Sequence, residues 1–380
     1  MELIATLLLF LSLFFFFGLI AYPLLAFLKA YFSSNKVDKS EAFLAPVSII
    51  ISCYNEEDFI RDKINSLIDD AEWIQGSELI IFSGGSTDKT HEILNEFAQN
   101  DRLVVLISTE RLSKIEGVNR AVAIAKNEFL VFSDCRQPIK KGSIKNLIHN
   151  FNDPQVGTVA ASLLDTKHGN RPSFFRSLFN FISLKESRYS SCLNVYGALY
   201  AQRKTVFRLI PNDLLFDDLF VVVSTLSQGK RLIQDKEAII YDVNFTNYYQ
   251  PERIGRLVRG LLIFLFNHYR LIRSLPNGPF IRFLYFKYLK LMMPFFLISF
   301  LIGSSILLVF HADLKIGLGL LVFILIGFLI GSVRRFMGLF IKINYYFLGA
   351  IWSYYFNAKR SNKWEKLQLE TRNEDSSTLL

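Results

Sequence analysis

The chain has 380 residues, with 43 Lys and Arg against 34 Asp and Glu, a formal charge of +9. Half of it (51%) is hydrophobic, which excludes a disordered chain, and 20% is charged, which excludes a chain made only of membrane helices. What is left is a mixed design of membrane segments and one large soluble domain.

Residues 3–28 carry no charge. At about 1.5 Å per residue such a run crosses a bilayer core of about 30 Å. A signal peptide would have a shorter apolar stretch, basic residues before it and a small-residue cleavage site. Here Glu2 precedes the run, and Lys29, Lys36 and Lys39 come after it. Residues 1–33 therefore read as an uncleaved N-terminal anchor. The positive-inside rule puts the residues beyond this anchor in the cytoplasm, at the plasma (inner) membrane.

Residues 34–252 suffice for one domain with its own core. Val47–Cys53 is a β-branched run suited to a buried strand. Asn55 is expected to cap a helix with Phe59, Ile60, Ile64, Leu67 and Ile68 on one face. Residues 78–83 form the second strand, and Ser86 or Thr87 with Asp88 opens a second helix through Ile93, Leu94 and Phe97. Residues 103–107 form the third strand; Ile115, Val118, Val122 and Ala125 stripe the third helix. Residues 128–133 form a fourth strand that ends at Asp134. This alternation predicts an α/β fold, a mostly parallel sheet with helices on both faces. Ligands in such sheets bind at the carboxyl ends of the strands. Tyr54-Asn55-Glu56, Gly84-Gly85-Ser86 and Asp134 all fall there. Cys53, Cys135 and Cys192 have no metal-ligand spacing and read as free cytosolic thiols. The five histidines are scattered along the chain, and none is assigned a role.

From Arg253 to Lys290 there are eight basic residues (Arg253, Arg256, Arg259, Arg270, Arg273, Arg282, Lys287 and Lys290) and no acidic one. Residues 253–290 read as basic interfacial helices against anionic membrane lipid. A nucleic-acid role is disfavoured, because this run abuts apolar spans. Residues 291–310 and 316–333 are charge-free runs, the second closed by Arg334 and Arg335. Lys342 and Asn344 interrupt 336–356, which reads as interfacial or re-entrant. Residues 291–356 form a C-terminal transmembrane region, and 357–380 a cytosolic tail.

An ordered set of motifs carries a resemblance. PVSIIISCYNEEDFI (Pro46–Ile60) is followed by SGGSTDKT (Ser83–Thr90) and SKIEGVNRAVAIAKNEFLVFSD (Ser113–Asp134). Then come YGALYAQRK (Tyr196–Lys204), FDDLFV (Phe216–Val221) and an Arg-rich stretch after Gln250. Over about residues 46 to 260 the chain resembles the membrane-anchored glycosyltransferases of family 2, which have the GT-A (Rossmann-like) nucleotide-sugar fold. The resemblance implies a nucleotide-sugar donor and a lipid-linked or cell-envelope saccharide acceptor. It implies Mg²⁺ or Mn²⁺ at the donor diphosphate, because the leaving group gains negative charge as it departs.

Residue by residue, the resemblance assigns Tyr54, Asn55 and Glu56 to the nucleoside, and Gly84 to close backbone approach at the second strand end. Lys114 reaches the donor, and Asp134 is the metal or phosphate ligand. Asp218 is the catalytic base, with Asp217 beside the acceptor. Gln250, Arg253 and Arg256 face a phosphate or the acceptor. The chain departs from the family at three places. Asp-x-Asp is replaced by Asp134-Cys135-Arg136, so Arg136 stands as a cation for the diphosphate. Ser83 and Gly84 occupy positions where the family usually carries Asp. Gln250-Pro-Glu-Arg253 is followed by Ile254 where processive synthases have Trp. The reading is a membrane-bound, inverting glycosyltransferase adding one or a few sugars. A processive polysaccharide synthase and a non-catalytic scaffold are the alternatives.

Overall fold

A computed structural model describes residues 2–33, 35–68, 73–165, 174–215, 217–242, 250–311 and 331–356. They group into two compact units. One gathers the described residues within Met1–Leu25, Gln250–Leu262 and Ile281–Ser361, the other those within Ala26–Tyr249 and Ile263–Phe280.

The second unit is built on a seven-stranded sheet. In chain order the strands are β1 (Val47–Cys53), β2 (Glu78–Gly84), β3 (Leu103–Ser108), β4 (Phe129–Ser133), β5 (Val156–Asp165), β6 (Leu199–Arg203) and β7 (Arg231–Asp242). Their order in the sheet is β3-β2-β1-β4-β6-β5-β7. All neighbours pair in parallel except β6, which runs antiparallel to β4 and β5. The four strands expected from the sequence are the four contiguous parallel ones.

Side-chain alternation along these strands explains the layers. Ile49 and Ile51 of β1, Leu79 and Ile81 of β2, and Phe129 and Val131 of β4 share one core with Ile60, Ile64 and Leu67 of α2 (Ile60–Ile68). Leu94 of α3 (Thr90–Glu96) joins the same core. The opposite face takes α4 (Lys114–Ile124). It lies so close that a methyl group on Gly117 would collide with Ser52 and Phe82. Further helices of this unit are α5 (Ser143–His149), α6 (Phe174–Tyr189) and α7 (Asp218–Ser227).

Helix starts correct two expectations. Asn55 does not cap α2, which begins at Ile60; its backbone is left-handed (φ 52°), a conformation Asn tolerates better than most residues. The helix expected to open at Ser86–Asp88 begins at Thr90, where Asp88 Oδ1 accepts the Thr90 N–H at 3.0 Å.

In the first unit, α1 (Glu2–Phe32) is long and apolar enough to cross a membrane. Ser12 Oγ donates to Phe296 O at 3.0 Å, and Phe15 stacks on Phe296 with centroids 4.2 Å apart. This unit also takes α8 (Gln250–Asn267) as far as Leu262, the end of α10 (Asn277–Phe283) and α11 (Met293–His311), whereas the end of α8, α9 (Tyr269–Arg273) and the start of α10 belong to the other unit. Asn277–Tyr288 and Met293–Ile306 form a pair bent by 68° that together pass the same length and composition test. The 316–333 run falls largely outside the described residues. The final helix, α12 (Gly331–Phe356), runs without a break through Arg334 and Arg335.

Candidate active site

The parallel register sets Cys53 of β1 beside Ser83 of β2, so their following loops lie side by side. They are stitched together. Asn55 N–H donates to Ser86 Oγ at 3.1 Å, Thr87 N–H donates to Asn55 Oδ1 at 2.8 Å, and Glu56 N–H donates to Thr90 Oγ1 at 2.9 Å. Asn55 is thus a clamp between strand ends. Gly84 and Gly85 leave room that the chain itself fills. A methyl at Gly84 would stand 3.0 Å from Leu112 O, and Gly85 has φ +68° and lies against the Glu110 carbonyl. The guanidinium of Arg111, from that same loop, lies 3.4 Å from the centre of the Tyr54 ring.

Behind these loops is a buried ion pair. Arg136 Nε donates to both Glu56 oxygens at 2.8 Å, with side chains 8% and 5% exposed. The two residues expected to reach for the donor hold one another. Nearby on α2, Lys63 is buried and donates from Nζ to Gln137 O at 2.7 Å. Burial pushes its ammonium down to about 8, against the pull of Cys135 and Asp134. Burial also pushes the Cys53 thiol up to about 12 and Cys135 well above its usual range. All three cysteines are free and buried.

A second ionic group faces a recess lined by Ile50, Ser52, Lys114, Asp134, Gly197 and Asp217. Lys114 is the first residue of α4, whose cap is Ser113 Oγ accepting the Glu116 N–H at 3.1 Å. Its Nζ lies 2.7 Å from Asp134 Oδ1 and 3.7 Å from Asp217 Oδ1. Burial would lower this ammonium, but Asp134 and then Asp217 outweigh it and hold it above its usual range. The end of β4 is pinned to β6, because Asp134 N–H donates to Ala198 O at 3.1 Å. Gly197 keeps the recess open: a methyl there would stand 3.5 Å from Asp217 Oδ1 and 3.9 Å from Lys114 Nζ. Asp218 opens α7, and its Oδ1 accepts the Leu219 N–H at 2.7 Å.

A divalent cation takes about six oxygen ligands, several of them carboxylate or phosphate. The motif here offers one carboxylate, Asp134, and that oxygen already holds Lys114. At the second ligand position of the motif stands a cation, Arg136, turned to Glu56. Among the described residues no group of three His, Cys, Asp or Glu side chains is arranged to hold a metal. The residues present do not fit a divalent ion of the Asp-x-Asp type.

The structure therefore brings together Lys114, Asp134 and Asp217, with Asp218 next in the chain. Gln250, Arg253 and Arg256 lie on the first turns of α8, in the other unit; the side chains of Gln250 and Arg253 fall outside the described residues. Four functional candidates escaped sequence reading. Arg111 stacks on Tyr54. His91 Nε2 lies 2.9 Å from Ser83 Oγ. His268 Nε2 lies 3.1 Å from both Asp213 oxygens, tying down the loop that leads to Asp217. Tyr200 stacks on Phe132 at 4.6 Å, and its buried hydroxyl has no hydrogen-bond partner among the described residues. Burial, with Asp217, Asp218 and Asp134, holds that phenol well above its usual range. Only the clustered charge of residues 110–114 hinted at any of these.

Residues 48–211 match the family model described as Glycosyl transferase family 2. Over 133 residues the chain is 25% identical to a poly-beta-1,6-N-acetyl-D-glucosamine synthase of Staphylococcus aureus, covering 35% of this chain and 32% of the relative. Over 232 residues it is 21% identical to glycosyltransferase GlyA of Streptococcus pneumoniae, covering 56% of this chain and 31% of the relative. The matches span about a third of the length of these curated relatives. The mannosyltransferase PcManGT of Pyrobaculum calidifontis, solved with GDP-Man and Mn²⁺, is similar in fold with a TM-score of 0.72 at 20% identity. That likeness covers 94% of this chain and 99% of the other. Residues 48–211 of this chain form a glycosyl transferase family 2 domain.

Proposed function

We propose that this protein is an inverting glycosyltransferase that moves a sugar from a nucleotide-sugar to a lipid-linked or cell-envelope saccharide acceptor. The observation that carries this reading is the recess at the strand ends, where one cation and two carboxylates, Lys114, Asp134 and Asp217, converge beside Asp218. In the proposed step an acceptor hydroxyl oxygen attacks the anomeric carbon. The carbon–oxygen bond to the diphosphate breaks, and its electron pair leaves with the nucleoside diphosphate. The hydroxyl proton passes to Asp218.

The apolar α1 supports membrane attachment, with the sheet domain in the cytoplasm and the 253–290 segment at an anionic lipid surface. C-terminal spans belong to the same reading. A processive synthase is the second reading, favoured by the name of the Staphylococcus aureus relatives; Ile254 in place of Trp favours short products. The test is a thermal-shift screen of the purified protein against UDP- and GDP-sugars, followed by product analysis. Inverted, short products are expected. A retained anomeric centre refutes the single displacement, long polymer refutes the transfer of a few sugars, and no binding of any nucleotide-sugar refutes the reading.

A further inference from the structure

We infer that Lys114, and not a divalent cation, is the charge that meets the diphosphate of the donor. The inference rests on the transferase reading and departs from the metal chemistry that the family resemblance implies. The space in question is already filled by a cation. Lys114 Nζ lies 2.7 Å from Asp134 Oδ1 and 3.7 Å from Asp217 Oδ1, in the recess that Gly197 keeps open.

An incoming Mg²⁺ or Mn²⁺ would have to expel an ammonium bound to two carboxylates. The protein would offer it Asp134 from the motif and Asp217 across the recess, both already paired with that ammonium, with water and the donor's phosphate oxygens left to complete its shell. The second carboxylate of an Asp-x-Asp pair is replaced by a cation, Arg136, whose Nε donates to Glu56.

Lys114 is also fixed where an anion is best received. It opens a capped helix of 11 residues, whose N-terminal N–H groups carry partial positive charge. That helix packs close on the sheet, where a side chain larger than that of Gly117 would collide with Ser52 and Phe82. Charge-assisted hydrogen bonds from ammonium to phosphate are among the strong ones. Asp134 and Asp217 then hold the ammonium in position instead of ligating an ion. In this arrangement the bond-breaking step needs no metal: the electron pair leaves with the diphosphate, and the charge it adds is met by Lys114.

The test uses the full-length protein in nanodiscs, with UDP and GDP as probes. Their affinities are measured in the presence of chelator and again with Mn²⁺, for wild type, Lys114→Ala and Lys114→Arg. The expected result is nucleoside diphosphate binding in chelator that Mn²⁺ improves by no more than about threefold, lost by about tenfold or more in Lys114→Ala and largely kept in Lys114→Arg. Binding that requires Mn²⁺ overturns the inference and leaves the transferase reading standing. Equal binding by wild type and Lys114→Ala overturns the role of Lys114. Absence of binding under every condition overturns both. If Lys114→Ala does not fold, the wild-type comparison of chelator with Mn²⁺ still decides.

Discussion

Glu56–Arg136 and Lys114–Asp134 flank the end of β4, and both join an acid to a base across distant stretches of the chain. In the first pair the side chains are 8% and 5% exposed and the guanidinium meets both carboxylate oxygens. In the second they are 31% and 33% exposed, and the ammonium is shared with Asp217. A deeply buried pair holds two loops together and resists change, because either partner left alone in low dielectric is costly. A half-open pair with one cation among several acids can trade a carboxylate for a phosphate. On the proposed reading the first pair is structural and the second serves the chemistry, although the family resemblance gave all four residues to the donor.

The sharpest way to break this division is at the acid beside the open pair. Asp218→Asn should lower turnover by about 10²–10⁴-fold, the size of a lost general base, while nucleotide affinity stays near wild type. Steady-state kinetics with a parallel binding measurement would show it, and retained turnover would remove Asp218 from its role.

Next in size is the closed pair. Arg136→Met should destabilise the domain by about 3–5 kcal/mol, and adding Glu56→Gln should restore much of that loss. Denaturant unfolding of the single and double variants checks it. A variant that folds normally yet cannot bind nucleotide would instead put Arg136 on the donor.

Lys63 tests the same interior through pH. Its proton leaves near pH 8 in the folded protein and near the usual 10.5 in the unfolded chain. Between these values the unfolded state binds more protons, so the contribution of Lys63 to stability rises with pH. Lys63→Met should therefore have its greatest relative stability below pH 8. That advantage should shrink by about 3 kcal/mol by pH 10.5. Paired melts of wild type and variant across this range give the slope, and a flat difference would mean that Lys63 is solvated.

The smallest expected effect is at Tyr200. Removing an unpaired buried hydroxyl with Tyr200→Phe should change stability by no more than about 1 kcal/mol, in either direction. A larger loss would reveal a partner for that hydroxyl among the neighbouring acids.

Much of this was readable along the chain. The runs at Val47–Cys53 and Glu78–Gly84 are buried on both faces, so each shows consecutive apolar residues at its centre, Ile49–Ile51 and Leu79–Phe82, whatever its partners. Helix α4 announced itself by its stripe of Ile115, Val118 and Val122, although its Ser113 cap was not foreseen. The strand-end residues were legible for the same reason, since parallel β-α units send every loop of one kind to one edge. The antiparallel β6 and the long β5–β7 pair were not foreseen, because their pairing depends on segments more than 40 residues apart.

Local periodicity and the geometry of β-α units were enough to define an α/β domain behind an apolar N-terminal helix. They were enough, too, for the four parallel strands and the polar residues at their ends. Which acid meets which base was settled only in three dimensions. Arg136 met Glu56 from 80 residues away and Lys114 met Asp134 from 20. Such choices depend on distance and burial between loops, and no spacing along the chain encodes them.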